Sequence, residues 1–164
     1  MAFRNKNAIL TLVDRNSGQA RSIVMAVDQI NAANIAEILS ENISKEANLR
    51  TDEARHYIPV GKAYAGHESV NHGADEYVSK IDRSVHTNTV EGFYSIFKRG
   101  MRGVYQHCSK KHLHRYAAEF DFRYSHRAAL GVDDQGRAVY ALEGVVGKRL
   151  TYRRPDLGAE AAQA

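Results

Sequence analysis

Residues 86–127 read HTNTVEGFYSIFKRGMRGVYQHCSKKHLHRYAAEFDFRYSHR, the densest run of basic, aromatic and histidine residues in the chain. Asn88-Thr89-Val90-Glu91 has the form of a helix start, with Asn88 as N-cap and Glu91 at the third helical position reaching back to it. Val90, Phe93, Tyr94, Phe97 and Met101 then recur at helical spacing and make an apolar face. Glu91, Ser95, Lys98 and Arg102 fall at i, i+4, i+7 and i+11 and share a different face. That face has two readings. Glu91 can be a capping acid beside solvated charges, or a carboxylate with a lysine two turns on can serve a site that handles a metal ion and a phosphate. Gly100 and Gly103 interrupt the pattern. A second helix is expected from about Ser109, with Leu113, Tyr116, Ala117, Phe120 and Tyr124 inward and Lys111, Arg115, Glu119 and Arg123 outward as i, i+4 charge pairs.

Upstream, Ala8–Asp14 and Ala20–Val27 are apolar strand formers separated by the turn cluster Arg15–Gln19, so they predict an antiparallel hairpin. The period changes over Asp28–Ser44, where Ile35, Ile38, Leu39 and Ile43 make a helical stripe and Asn31 is a plausible N-cap. Asn48–Asp52 reads as a short third strand. The order strand, strand, helix, strand favours an α/β layered domain. Asp52 closes that strand. On residues alone it is either a cap for a helix running toward Tyr57 or a site carboxylate. Pro59 and Gly61 mark a break. His67 and His72 follow, as contacts or as structural histidines. Asp75–Lys80 reads as a short extended piece before the loop Ile81–Thr87. Gly131–Gly147 reads as a looser tail, with a turn at Asp133, Asp134 and Gly136. Pro155–Ala164 is small, polar and expected to fray.

The 164 residues carry a net charge of +4 with a pI near 9.2. The excess is local. Arg83, Lys98, Arg99, Arg102, Lys110, Lys111, Arg115, Arg123 and Arg127 face only Glu91, Glu119 and Asp121 in that stretch, which points to a polyanionic partner or to a solvated helix surface. A lone cysteine, Cys108, precludes an internal disulfide framework and fits a reducing cytosol. No apolar run approaches the roughly 18 residues of a membrane span, and no signal peptide opens the chain. His107, Cys108, His112 and His114 cluster without the paired cysteines of structural zinc. P-loop, dinucleotide and nucleophile-elbow motifs are absent, so no small-molecule substrate is expected.

The run from His86 through Ser109-Lys110-Lys111-His112-Leu113 and Glu119-Phe120-Asp121-Phe122-Arg123-Tyr124 resembles the C-terminal part of insertion-sequence DDE transposases of the ISXO-like branch. Thr51-Asp52-Glu53…Tyr57, Gly66-His67-Glu68 and Gly147–Arg153 resemble further segments of that family. The resemblance implies a ribonuclease H-like mixed sheet with helices over residues 1–154, followed by a disordered tail at 155–164. It implies DNA transposition by two-metal phosphodiester cleavage and strand transfer, with Mg2+ or Mn2+ as the ion. Asp52 and Glu91 would be the second and third catalytic, metal-holding carboxylates. Lys98 would hold DNA, and Arg99, Arg102, Lys110, Lys111 and Arg115 extend the same basic surface. The partners implied are transposon ends, target DNA and further copies of the chain in a homo-oligomer, in the cytoplasm and away from membranes. The family's first catalytic aspartate lies upstream of an R-N-K stretch, which here is Arg4-Asn5-Lys6, and neither Asp14 nor Asp28 stands in its place. The expectation is therefore a truncated domain without its first strand, impaired in catalysis and open at a sheet edge. The alternative is a non-catalytic DNA-binding remnant or regulator.

Overall fold

Strand β1 (Asn7–Val13) and strand β2 (Ala20–Ala26) form an antiparallel hairpin in which Thr11 faces Ser22 and Val13 faces Ala20. The protein is described by a computed structural model over residues 7–70 and 86–148. Asp14 anchors the hairpin turn, accepting from Asn16 N and from Ser17 Oγ at 2.6 Å. The Ser17 hydrogen bond, followed by the Asn16 amide, holds its carboxyl below the ordinary value.

After a 3₁₀ turn at Val27–Gln29, helix α1 (Ala32–Asn42) starts where the sequence places it: the Asn31 side chain accepts from Asn34 N at 2.9 Å. Strand β3 (Asn48–Asp52) has the predicted bounds and pairs in parallel with β4 (Gly66–Val70), a strand the sequence reading does not assign. Between them runs the short helix α2 (Tyr57–Gly61). Pro59 does not break the chain. It sits within the first turn of α2, where a missing N–H costs no helical hydrogen bond.

Helix α3 (Asn88–Gly100) is followed by a π-helical turn at Met101–Tyr105, which ends at Gln106 with φ of 55°. One expectation is corrected here. The N-cap is Thr87 rather than Asn88, so Glu91 stands one position further into the helix. The expected interruption at Gly100 and Gly103 falls where α3 ends and the π-helical turn begins. A Cβ at Gly100 would come within 2.3 Å of the Phe120 ring, so packing also requires a glycine there. A 3₁₀ turn at Lys110–His112 leads into helix α4 (Leu113–Ser125), as the sequence predicts.

Two hydrophobic clusters hold these elements. Ile35 and Leu39 of α1 meet Leu49, Val60 and Tyr64, with Leu12 packed against them. Phe93 and Phe97 of α3 meet Phe120 of α4, with Ile9, Tyr94, Tyr105 and Tyr124 around them. Phe93 is 2 % exposed and makes edge-on contacts with Tyr94 and Tyr124, each worth about 0.5–1.5 kcal/mol beyond area burial. The aromatics of this stretch are thus core and not base-stacking platforms.

Residues 1–125 form one compact unit and residues 126–164 a second. In the second unit the expected loose tail contains a helix, α5 (Asp134–Glu143), capped by Asp133, whose side chain accepts from Gly136 N at 2.7 Å. The residues read as a turn are the start of that helix. The extended piece at 75–80, His72 and the tail at 155–164 lie outside the described residues.

Candidate active site

The described strands form two separate two-stranded sheets, β1–β2 and β3–β4. One cleft of about 1300 Å3 is lined by Ile9–Val13 of β1, by the whole of β3 and by Thr87, Val90, Glu91 and Tyr94 at the start of α3. Among the described residues β1 is paired by β2 and β3 by β4, and both β1 and β3 border this cleft.

The β1 edge can be read group by group. Ser22 N is bonded by Asp121, Ala20 N by Ser125 Oγ, and Thr11 N by the Tyr94 hydroxyl. These amides therefore point away from the hairpin's interior ladder, and by the antiparallel alternation so do those of Ile9 and Val13. The Tyr94 hydroxyl donates to Ile9 O at 2.8 Å and accepts from Thr11 N at 3.1 Å.

Asp52 ends β3 in this cleft. Its side chain accepts from Ala54 N at 3.1 Å, an Asx-type turn; it does not cap α2, which starts later at Tyr57. The Thr51 hydroxyl donates to Asp52 O at 2.8 Å and so accepts from His67 Nε2, also at 2.8 Å. His67 lies outside the cleft, packed on Gly61 where a Cβ would fall 2.1 Å from its Nδ1. Burial lowers its pKa, in keeping with a structural imidazole behind β3. Tyr57 is pushed up to about 12, first by burial and then by the charge of Asp52. Tyr94 is raised by burial, which its hydrogen bonds with Thr11 partly offset, with smaller upward contributions from the charges of Asp52 and Asp121.

Glu91 enters from the opposite wall, three residues before Tyr94. Its carboxylate accepts from Thr87 Oγ1 at 2.5 Å, and its amide donates to Thr87 O at 3.0 Å. The carboxylate thus takes the Thr87 hydroxyl and, among the described residues, no backbone N–H of the helix start, so the capping-box reading is not what the fold shows, while the side chain does line the cleft. His86 lines the same wall, its Nε2 2.9 Å from Arg15 Nη2. A guanidinium can only donate, so that nitrogen accepts and the proton sits on Nδ1. The sequence reading missed His86, Arg15 and Tyr94 as cleft residues; only the hairpin–helix packing brings them there.

The basic candidates divide. Lys98, Arg99 and Arg102 line a separate concavity of about 550 Å3 with Ser95 and Gly103. All three are exposed, on the face opposite Phe93 and Phe97. Lys110, Lys111 and Arg115 are exposed but line neither space.

As donors, Asp52 and Glu91 suit a hard divalent cation. Among the described residues, however, no three His, Cys, Asp or Glu side chains gather where one ion could be held. The residues described here do not complete a two-ion site, and no catalytic step is derived through one.

No helix among the described residues is long and apolar enough to cross a membrane. No characterised protein and no solved structure is detectably similar to the chain. The family of the ISXO2-like transposase domain matches residues 2–125, which coincides with the first compact unit. With that match over most of its length, the chain belongs to the ISXO2-like transposase domain family.

Proposed function

We propose that the cleft is the phosphodiester-handling site of a DNA transposase domain, with Asp52 and Glu91 as two of three carboxylates that hold Mg2+ or Mn2+. One observation carries this reading: residues 39 positions apart in sequence, on the end of β3 and the first turns of α3, line one cleft. When bound, the cation would neutralise charge on the scissile phosphate and activate the attacking oxygen. The chain's own part is to fix the two carboxylates: Asp52 through the Ala54 amide, Glu91 through the Thr87 hydroxyl. The third carboxylate lies outside the pair that the cleft brings together. Lys98, Arg99 and Arg102 hold the DNA backbone beside the cleft, and Lys110, Lys111 and Arg115 extend that surface. These are phosphate contacts, which position DNA without reading its sequence.

A second reading, a DNA-binding regulator without catalysis, is favoured by the lack of a three-ligand cluster among the described residues and by the separation of the basic concavity from the cleft. Mn2+ titration and duplex binding on the same samples decide between them. Under the catalytic reading, Asp52→Asn and Glu91→Gln each weaken Mn2+ binding at least tenfold and leave duplex affinity unchanged. A wild-type chain that binds duplex but no Mn2+, with both variants indistinguishable from it, establishes the second reading.

A further inference from the structure

We infer that Tyr94 is a positioning residue, whose hydroxyl fixes α3 to the edge of β1 and thereby sets where Glu91 stands in the cleft. The inference rests on the carboxylate reading above. Tyr94 bridges two backbone groups of one strand, Ile9 O at 2.8 Å and Thr11 N at 3.1 Å. Both point away from the β1–β2 ladder, so the hydroxyl gives these two groups the partners that a strand would otherwise supply. It ties α3 to β1 by two hydrogen bonds at once.

The tie lies at the cleft and not at a remote point of the helix. Tyr94 lines the cleft, and Glu91 precedes it by three residues on the same helix, about 4.5 Å along the axis. The phenol ring is itself held, edge-on to Phe93 within the aromatic cluster, so the hydroxyl has little freedom apart from the helix that carries it. Any slide or roll of α3 that moved Glu91 would have to break both bonds, leaving a partly buried amide and carbonyl unpaired. A purely space-filling role for the ring would need neither bond.

Tyr94→Phe keeps the ring and removes both bonds. Tyr105→Phe serves as the control, since Tyr105 packs in the same cluster but its hydroxyl donates to Glu119 Oε2 at 2.6 Å, away from the cleft. Both variants are expected to lose some thermal stability. Well below the melting range, only Tyr94→Phe should weaken Mn2+ affinity, by about tenfold for a displacement worth one ordinary hydrogen bond. It should also shift the Glu91 side-chain carboxyl resonance in 13C NMR without metal and expose the Thr11 amide to exchange. A Glu91 resonance and Mn2+ affinity equal to wild type, in a folded Tyr94→Phe, overturn the inference. An equal change in Tyr105→Phe overturns it too, because loosening of the cluster alone would then suffice. If the wild type binds no Mn2+, the carboxylate reading fails, and the Glu91 resonance still decides whether Tyr94 positions that residue.

Discussion

Two glycines of α3 separate backbone propensity from packing. Glycine inside a helix costs about 0.5–1 kcal/mol relative to alanine. Around Gly92 a Cβ would meet nothing within 4 Å, so Gly92→Ala should recover that amount. At Gly100 the same Cβ would lie 2.3 Å from Cζ of Phe120, a ring only 9 % exposed and wedged against Phe97 and Tyr105. The ring cannot turn aside without disturbing the cluster, and overpacking costs about 1–3 kcal/mol. The steric term wins, and Gly100→Ala should destabilise by up to about 2 kcal/mol despite the better helix former. Urea midpoints of the two single variants, moving in opposite directions from wild type, are the check. This contrast is invisible in the sequence, which shows an interruption at Gly100 and Gly103 but not what a Cβ would meet at Gly92 or Gly100. Glu91 shows the complementary case: its spacing from Lys98 and Arg102 was legible, but its shared cleft with Asp52 depends on long-range packing that no local spacing encodes.

At the scale of elements, the outer edge of β2 is closed by side chains from α4. Asp121 accepts from Ser22 N at 2.6 Å and from Ser22 Oγ at 2.7 Å, and Ser125 Oγ accepts from Ala20 N at 2.9 Å. Burial raises the Asp121 carboxyl above its ordinary value near 3.8, and the Ser22 donors only partly offset this. In the unfolded chain the group ionises at the ordinary value; in the fold it keeps its proton to higher pH. Its contribution to stability is therefore complete below about 3.8 and declines as pH rises through the folded pKa. Asn at this position keeps both contacts, because the Thr11–Ser22 hydroxyl pair at 2.9 Å can reverse its direction. Asp121→Asn should thus gain on wild type as pH rises from 3.5 to 7, while Asp121→Ala should lose about 1–3 kcal/mol throughout by leaving the Ser22 amide unpaired. Chemical denaturation across that range reads both, and parallel curves for wild type and Asp121→Asn would reject the argument. The hairpin, α1, β3 and α4 were legible because each has local signals: apolar strand formers around a turn cluster, an Asn cap, a short strand-like run, an apolar stripe. β4 was not, since Gly66–Val70 has two exposed positions and little alternation. Nor was α5, which buries no residue and whose Asp-Asp-Gln-Gly start looks like a turn until Asp133 is seen to cap it.

Over the whole molecule, the charge of +4 is too small to make the protein a general polyanion binder, so DNA affinity must come from where the bases stand. Lys98, Arg99 and Arg102 share one concavity on the face of α3 away from the aromatic core, and none of them makes an ion pair among the described residues. Arg123, by contrast, is tied to Glu119 at 2.9 Å, and Arg137 to Asp134 at 2.5 Å, so part of the basic composition is already neutralised within the fold. Each phosphate neutralised contributes about −0.9 to the slope of log Kobs against log salt on duplex DNA. Replacing Lys98, Arg99 and Arg102 together by glutamine should therefore make that slope shallower by about 2.7, if each contacts one phosphate, and reduce affinity for unrelated duplexes alike. Replacing Arg123 by glutamine should change the slope by well under one. Equal slopes for the triple variant and wild type would remove the α3 concavity from the DNA surface. The bases at Lys110, Lys111 and Arg115 would then have to carry the phosphates from outside both concavities, and the DNA would no longer run past Glu91 along α3.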